Sequence, residues 1–264
     1  MSSWRKLRVA VLVVVLIVVA AWAGGVHRVR SARVRWDRTV QVAVVLLSPT
    51  DLDALQVSRL QDGLGQLEDR LSAEFARYGG GGTPFSFKLA GPVSFNGRIS
   101  FTPESSGIVD RAKHAYRLWR TLRGIHAAAS FDPTPYDARI YLFLEPATAA
   151  GGGLTTFAEG SGAVGGDVGI VRAAIGSDDA VLALIAVAHE LFHCLGATDK
   201  YDVAGHAIVP DGLAEPERSP QYPQDFAEWM VGEVPTGPAR GRLPSSLAEI
   251  RVGPVTAREI GWPG

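Results

Sequence analysis

The chain has 264 residues, 47% of them hydrophobic, with 26 basic and 27 acidic residues and a formal net charge of -1. That is enough apolar material for one substantial core, and the charge balance carries no electrostatic footprint of a nucleic-acid partner. The single cysteine excludes an intramolecular disulfide and leaves the redox compartment open.

In chain order, Arg5, Lys6 and Arg8 precede an uncharged apolar run from Val9 to Val26, about long enough to span a bilayer. It has no polar face, which argues against a buried core helix and for an N-terminal transmembrane helix. Ala21 and Ala23 form an A-x-A pattern, so cleavage after Ala23 would yield a secreted form. The length of the run favours an uncleaved anchor. Arg28, Arg30, Arg33, Arg35 and Arg38 crowd the other flank and compete with the first charges under the positive-inside rule. This basic linker suits anionic headgroups. Residues 1–38 are therefore read as an anchor or signal segment with a linker, and 39–264 as the folded domain.

Residues 40–47, VQVAVVLL, read as a buried strand. A helix follows, with Leu52, Leu55, Leu60, Leu64, Leu67, Leu71 and Phe75 at roughly helical spacing, ended by the glycines at 79–82. Residues 84–101 alternate apolar and polar positions and predict one or two strands, 108–129 a second helix, and 138–146 an interior strand stopped by Pro146. A Gly-rich loop at 151–166 lacks the GK[ST] of a phosphate-binding loop and reads as a flexible rim. Residues 167–173 predict another strand.

The next helix carries the most informative stretch, HELFHCLGATDK at 189–200. Its approach, from 179 onward, is rich in helix formers without Pro or Gly, with Ser177 or Asp178 as N-cap and Gly196 as the residue that ends it. Positions i and i+4 share a helix face, so His189 and His193 can converge on one zinc ion. Glu190 follows directly, where a general base can reach a metal-activated water. Catalytic zinc takes three protein ligands, and Asp199, swung under the metal by the Gly196 turn, is the nearest third. Glu215, Glu217 and His206 are rivals. Neither glutamate sits on an obvious helix, because GLAEPERSP contains two prolines. Cys194 points away from the His pair and reads as a small buried residue. Tyr201 and Tyr222 can serve as oxyanion donors or simply pack.

His189, Glu190, His193, Gly196 and Asp199 together resemble the HExxHxxGxxH motif of the metzincin zinc metalloproteases, and more closely the snapalysin-like variant in which Asp replaces the third His. The resemblance implies a Met-containing turn under the metal, for which AEWMVGE around Met230 is the match. It implies an α+β fold: a twisted mixed sheet carrying two long helices in an upper subdomain (39–196), and a small irregular lower subdomain (197–264). It implies that Val168, Gly169, Ile170 and Val171 form the edge strand that binds an extended peptide through its backbone. The expected activity is that of a zinc-dependent endopeptidase acting on protein or peptide substrates, one catalytic ion per chain, at the outer face of a cell membrane. A gluzincin-like hydrolase using Glu215 or Glu217, and a membrane-anchored zinc-binding scaffold without turnover, are the alternatives.

Overall fold

A computed structural model describes residues 31–97, 99, 107–146, 166–175 and 180–263, together with Trp4, Arg8, Val9, Leu12, Val13, Val14, Leu16 and Ile17. Those early positions are helical and exposed. No helix among the described residues is long and apolar enough to cross a membrane. Most of the Val9 to Val26 run, with Ala21 and Ala23, lies outside the described residues, as do the glycines of 151–165 and the candidate caps Ser177 and Asp178.

Strand β1 (Val40–Ser48) leads into helix α1 (Ala54–Arg77), β2 (Phe85–Ser94), helix α2 (Ile108–Ala128), β3 (Ala138–Pro146), β4 (Val168–Ile175) and helix α3 (Ala180–Leu195). The four strands form one sheet in the order β2-β1-β3-β4, and every neighbouring pair is parallel. This corrects the expectation of a mixed sheet in an α+β fold: the sheet is parallel and the architecture is α/β. Each of the first two strand-to-strand connections contains a helix that returns the chain to the same end of the sheet, which makes the next strand parallel. The near-continuous apolar character of 40–47 agrees with it, because both faces of β1 are covered.

Alternate residues of the strands serve opposite faces. Val42, Val44, Leu46, Ile140 and Leu142 pack beneath α1 and α3, and Val45, Leu47, Tyr141 and Phe143 pack with Leu118, Leu122 and Ile125 of α2. The molecule therefore has helices on both faces of the sheet. Helix α1 opens with a capping box in which Asp53 accepts from Gln56 N and Gln56 accepts from Asp53 N. Its buried stripe is Leu60, Leu64, Leu67, Leu71 and Phe75, whereas Leu55 is exposed. Helix α3 is buried from Ala183 to Leu195 without interruption, which its uniformly apolar sequence requires.

After residue 196 the elements are short: β5 (Ala227–Glu228) pairs with β8 (Ile250–Arg251), β6 (Val234–Gly237) forms a hairpin with β7 (Arg240–Arg242), and α4 (Pro254–Glu259) is the last helix. This segment has no core of its own, since Trp229, Met230, Ile250 and Trp262 join the cluster of α1 and α3. Charge ties it down as well. Buried Glu74 of α1 pairs with Arg70 at 2.9 Å and Arg77 at 2.7 Å and accepts from Val252 N at 3.0 Å, while Arg70 donates to the carbonyl of Ile250. The end of the basic linker also belongs to the packed domain. Trp36 lies against Phe75, Phe85 and Trp262, and its Nε1 donates to Ile260 O at 3.0 Å.

Candidate metal centre

The site begins with the end of α3. Gly196 adopts φ 112°, Gly196 N donates to His193 O at 3.0 Å and Ala197 N to Phe192 O at 2.9 Å. These are the two crossed bonds of a Schellman cap, and their left-handed residue is one that only glycine adopts readily. The reversal turns the Ala197 carbonyl onto His193, which it meets at Nδ1 at 2.9 Å. Asp199 then lies alongside the helix face it has just left.

His189 and His193 stand one turn apart with ring centroids 4.7 Å apart. The Nδ1 of His189 faces the carbonyl of Trp229 at 3.3 Å, as that of His193 faces Ala197. Carbonyls only accept, so both rings carry their proton on Nδ1 and present Nε2. The two Nε2 atoms meet one oxygen, Asp199 Oδ1, at 3.2 and 3.1 Å. Ligands on a tetrahedral zinc at 2.0–2.1 Å lie about 3.3 Å from one another, so these separations match two edges of such a polyhedron. Metal-ligating histidines ordinarily donate their other N–H to a carbonyl or carboxylate, and both do so here.

Electrostatics points the same way. Burial works against charge on His193, yet the hydrogen bonds it donates to Asp199 and the Ala197 carbonyl and the charges of Glu190 and Asp199 outweigh it and raise its pKa. Burial likewise pushes Asp199 up, but His189 and His193 hold its carboxyl well below the ordinary carboxylate range. Two imidazoles and a carboxylate gathered in this way could hold a metal ion, and two nitrogens with one oxygen are among the donor sets that zinc takes.

Glu190 is 2% exposed, and its carboxylate lies with the two imidazoles in a group whose ligand atoms are all within 4.8 Å of one another. It faces β4: a Cβ on Gly169 would come within 2.8 Å of Glu190 Cβ, so glycine there lets the helix approach the strand. Of the four edge-strand residues, Ile170 and Val171 are buried and Gly169 touches Glu190, while β4 ends the sheet among the described residues.

The turn after β5 runs beneath the rings. Met230 is wholly buried, its N–H donates to Glu228, and Trp229 supplies the carbonyl for His189 while its own Nε1 donates to Ile185 O at 3.1 Å. Tyr201 stacks on His189 at 6.4 Å and hydrogen bonds to Asp199, and burial with the Asp199 charge pushes its phenol up to about 12. The rival ligands go elsewhere. Glu215 pairs with Arg251 at 2.9 Å and Arg218 at 3.4 Å, Glu217 is exposed, and His206 and Tyr222 line a small pocket with Glu233 and Arg240. Cys194 is fully buried, which pushes its thiol up to about 12.

Sequence reasoning missed the brace on the ligand loop. Glu259 of α4 accepts from Thr198 N at 3.0 Å and from Lys200 Nζ at 2.7 Å, and Lys200 Nζ returns to Thr198 O at 2.8 Å. Both neighbours of Asp199 are thus tied to one carboxylate. Nothing local marks Glu259, which lies 60 residues further along the chain. Comparison with protein-family models and with curated proteins finds no match to this chain.

Proposed function

We propose that the protein is a zinc-dependent endopeptidase in which His189, His193 and Asp199 hold the metal and Glu190 is the general base. The observation that carries this reading is the meeting of both Nε2 atoms on Asp199 Oδ1, with both Nδ1 atoms occupied by carbonyls. Zinc, when bound, would make a water nucleophilic at neutral pH and polarise the scissile carbonyl. Glu190, dry and one residue from the first ligand, takes the proton from that water and returns it to the leaving amine. Tyr201 keeps its proton at neutral pH and donates it to Asp199, which steadies that carboxylate. β4, the last strand of the sheet among the described residues, lies against Glu190 at Gly169 and is the proposed rail for an extended peptide. The Val9 to Val26 run is proposed to anchor the enzyme in a membrane with this domain on the outer side.

The catalytic and scaffold readings separate on one substitution. Glu190→Gln should retain one zinc per chain and lower cleavage of a denatured-proteome substrate by about 10²–10⁴-fold, with a chelator abolishing cleavage by the unaltered protein. Undiminished cleavage by the variant, or cleavage indifferent to chelation, would refute the assignment.

A further inference from the structure

We propose that the outward face of α2 is a docking surface for an anionic lipid bilayer, a reading independent of the metal centre. Around the helix Val109, Lys113, Tyr116, Arg120 and Arg123 fall within about 80° of one another, and all are exposed. Arg111 and Arg117 are exposed too, and Asp110 is the only carboxylate of the helix. Tyr116 and Trp119, 61% and 54% exposed, stack at 6.0 Å, and the Arg123 guanidinium lies 5.4 Å from the Trp119 ring centre. Cations beside exposed Trp and Tyr make up the composition that settles at a headgroup boundary, where the ring is half in hydrocarbon and the charge meets phosphate.

A groove extends this face. Trp119, Leu122, Phe131 and Pro133 line an open cavity of about 740 Å3 with Arg123, Asp132 and Arg139 beside it, Arg139 being paired with Asp167. A lipid would fill it with its glycerol and upper acyl chain, whereas a nucleic acid would bring only a base to stack on Trp119. The linker comes near this groove at one point. Arg38 forms a two-point pair with Asp137, both contacts at 2.6 Å, two residues before Arg139 of the groove. Trp36, two residues earlier, packs with the α1 and α3 cluster against Phe75 and Trp262, so the linker passes from that side of the sheet to the groove end of the domain at Arg38. The sheet separates α2 from α3, so a bilayer on α2 lies across the sheet from the helix that carries the His cluster.

The test uses the full chain reconstituted into bromolipid-containing vesicles, neutral phosphatidylcholine against phosphatidylcholine with about 30% phosphatidylserine. The signal of Trp119 is taken as the difference between the native protein and Trp119→Phe. Quenching of Trp119 should be strong in the anionic vesicles, weak in the neutral ones, and reduced to the neutral level by about 0.5 M salt. Joint replacement Arg117→Gln, Arg120→Gln and Arg123→Gln should lower the ratio of docked to undocked protein on the order of 100-fold, about fivefold per cation, with far-UV circular dichroism unchanged. Equal quenching in both vesicles would overturn the proposal. So would a Trp119 that responds to an oligonucleotide and not to anionic vesicles, which would give the face to nucleic acid.

Discussion

Asp199 is the candidate third ligand because of where its oxygen lies. Oδ1 stands 3.2 and 3.1 Å from the two ring nitrogens, while Glu215 already neutralises Arg251 and Arg218. Asp199→Ala should therefore weaken zinc binding by more than the 10–100-fold that outer-shell changes typically cost, roughly speaking, and Glu215→Ala should leave it unchanged. Competition with a chromophoric chelator measures both, and the opposite ranking would move the third ligand to the glutamate. At this scale the sequence was legible for His189, Glu190 and His193, whose relation is fixed by helical spacing alone. It left Asp199 among rivals, because the choice depends on which carboxylate is already engaged by arginine.

The decisive element is the end of α3 and the turn that follows. The Schellman cap positions the Ala197 carbonyl on His193 and starts the loop whose ends Glu259 and Lys200 secure. Gly196→Ala places a side chain at φ 112°, a conformation that costs an L-residue about 1–2 kcal/mol. Denaturant unfolding should show that loss, and zinc titration should show weaker binding in the same variant, since Asp199 and the Ala197 carbonyl both hang from this turn. A stability loss with unaltered zinc affinity would mean that the loop holds Asp199 without help from the cap. The glycine and the helix before it were readable in sequence; the brace from α4 was not, because it joins residues 59 apart through side chains with no periodic signature.

At the scale of the whole molecule, residues 197–263 are held as a mantle on α1 and α3 and not as a free-standing unit. Glu74 is 2% exposed and serves two arginines and a backbone N–H of the C-terminal segment. Glu74→Gln strands those partners, and at about 3 kcal/mol for breaking a buried pair it should lower the melting temperature and open the segment to limited proteolysis first. Acid should act where the linker meets β3. Burial pushes Asp137 up, but the hydrogen bonds from Arg38 and Gln41 outweigh it and hold its pKa below the usual value. Its stabilisation is therefore complete above the unfolded-state value, about pH 4, and disappears as pH falls through the lower folded value. Asp137→Asn should flatten the acid limb of a stability–pH curve, modestly, because Arg38 is half exposed and solvent screens the pair.

By itself the sequence determined what is local: the two imidazoles on one helix face with Glu190 beside the first, the glycine that must end that helix, and the order of strands and helices along the chain. Hydrophobic period and turn chemistry act over a few residues, so they reach that far and no further. Tertiary structure alone decided that the sheet is parallel, that Trp229 and Ala197 supply the carbonyls that orient the rings, that Asp199 and not Glu215 meets them, and that Glu259 steadies the loop. Each of these except the Ala197 and Asp199 contacts pairs groups whose separation in sequence carries no pattern, and each is settled by which partners remain once the core has closed.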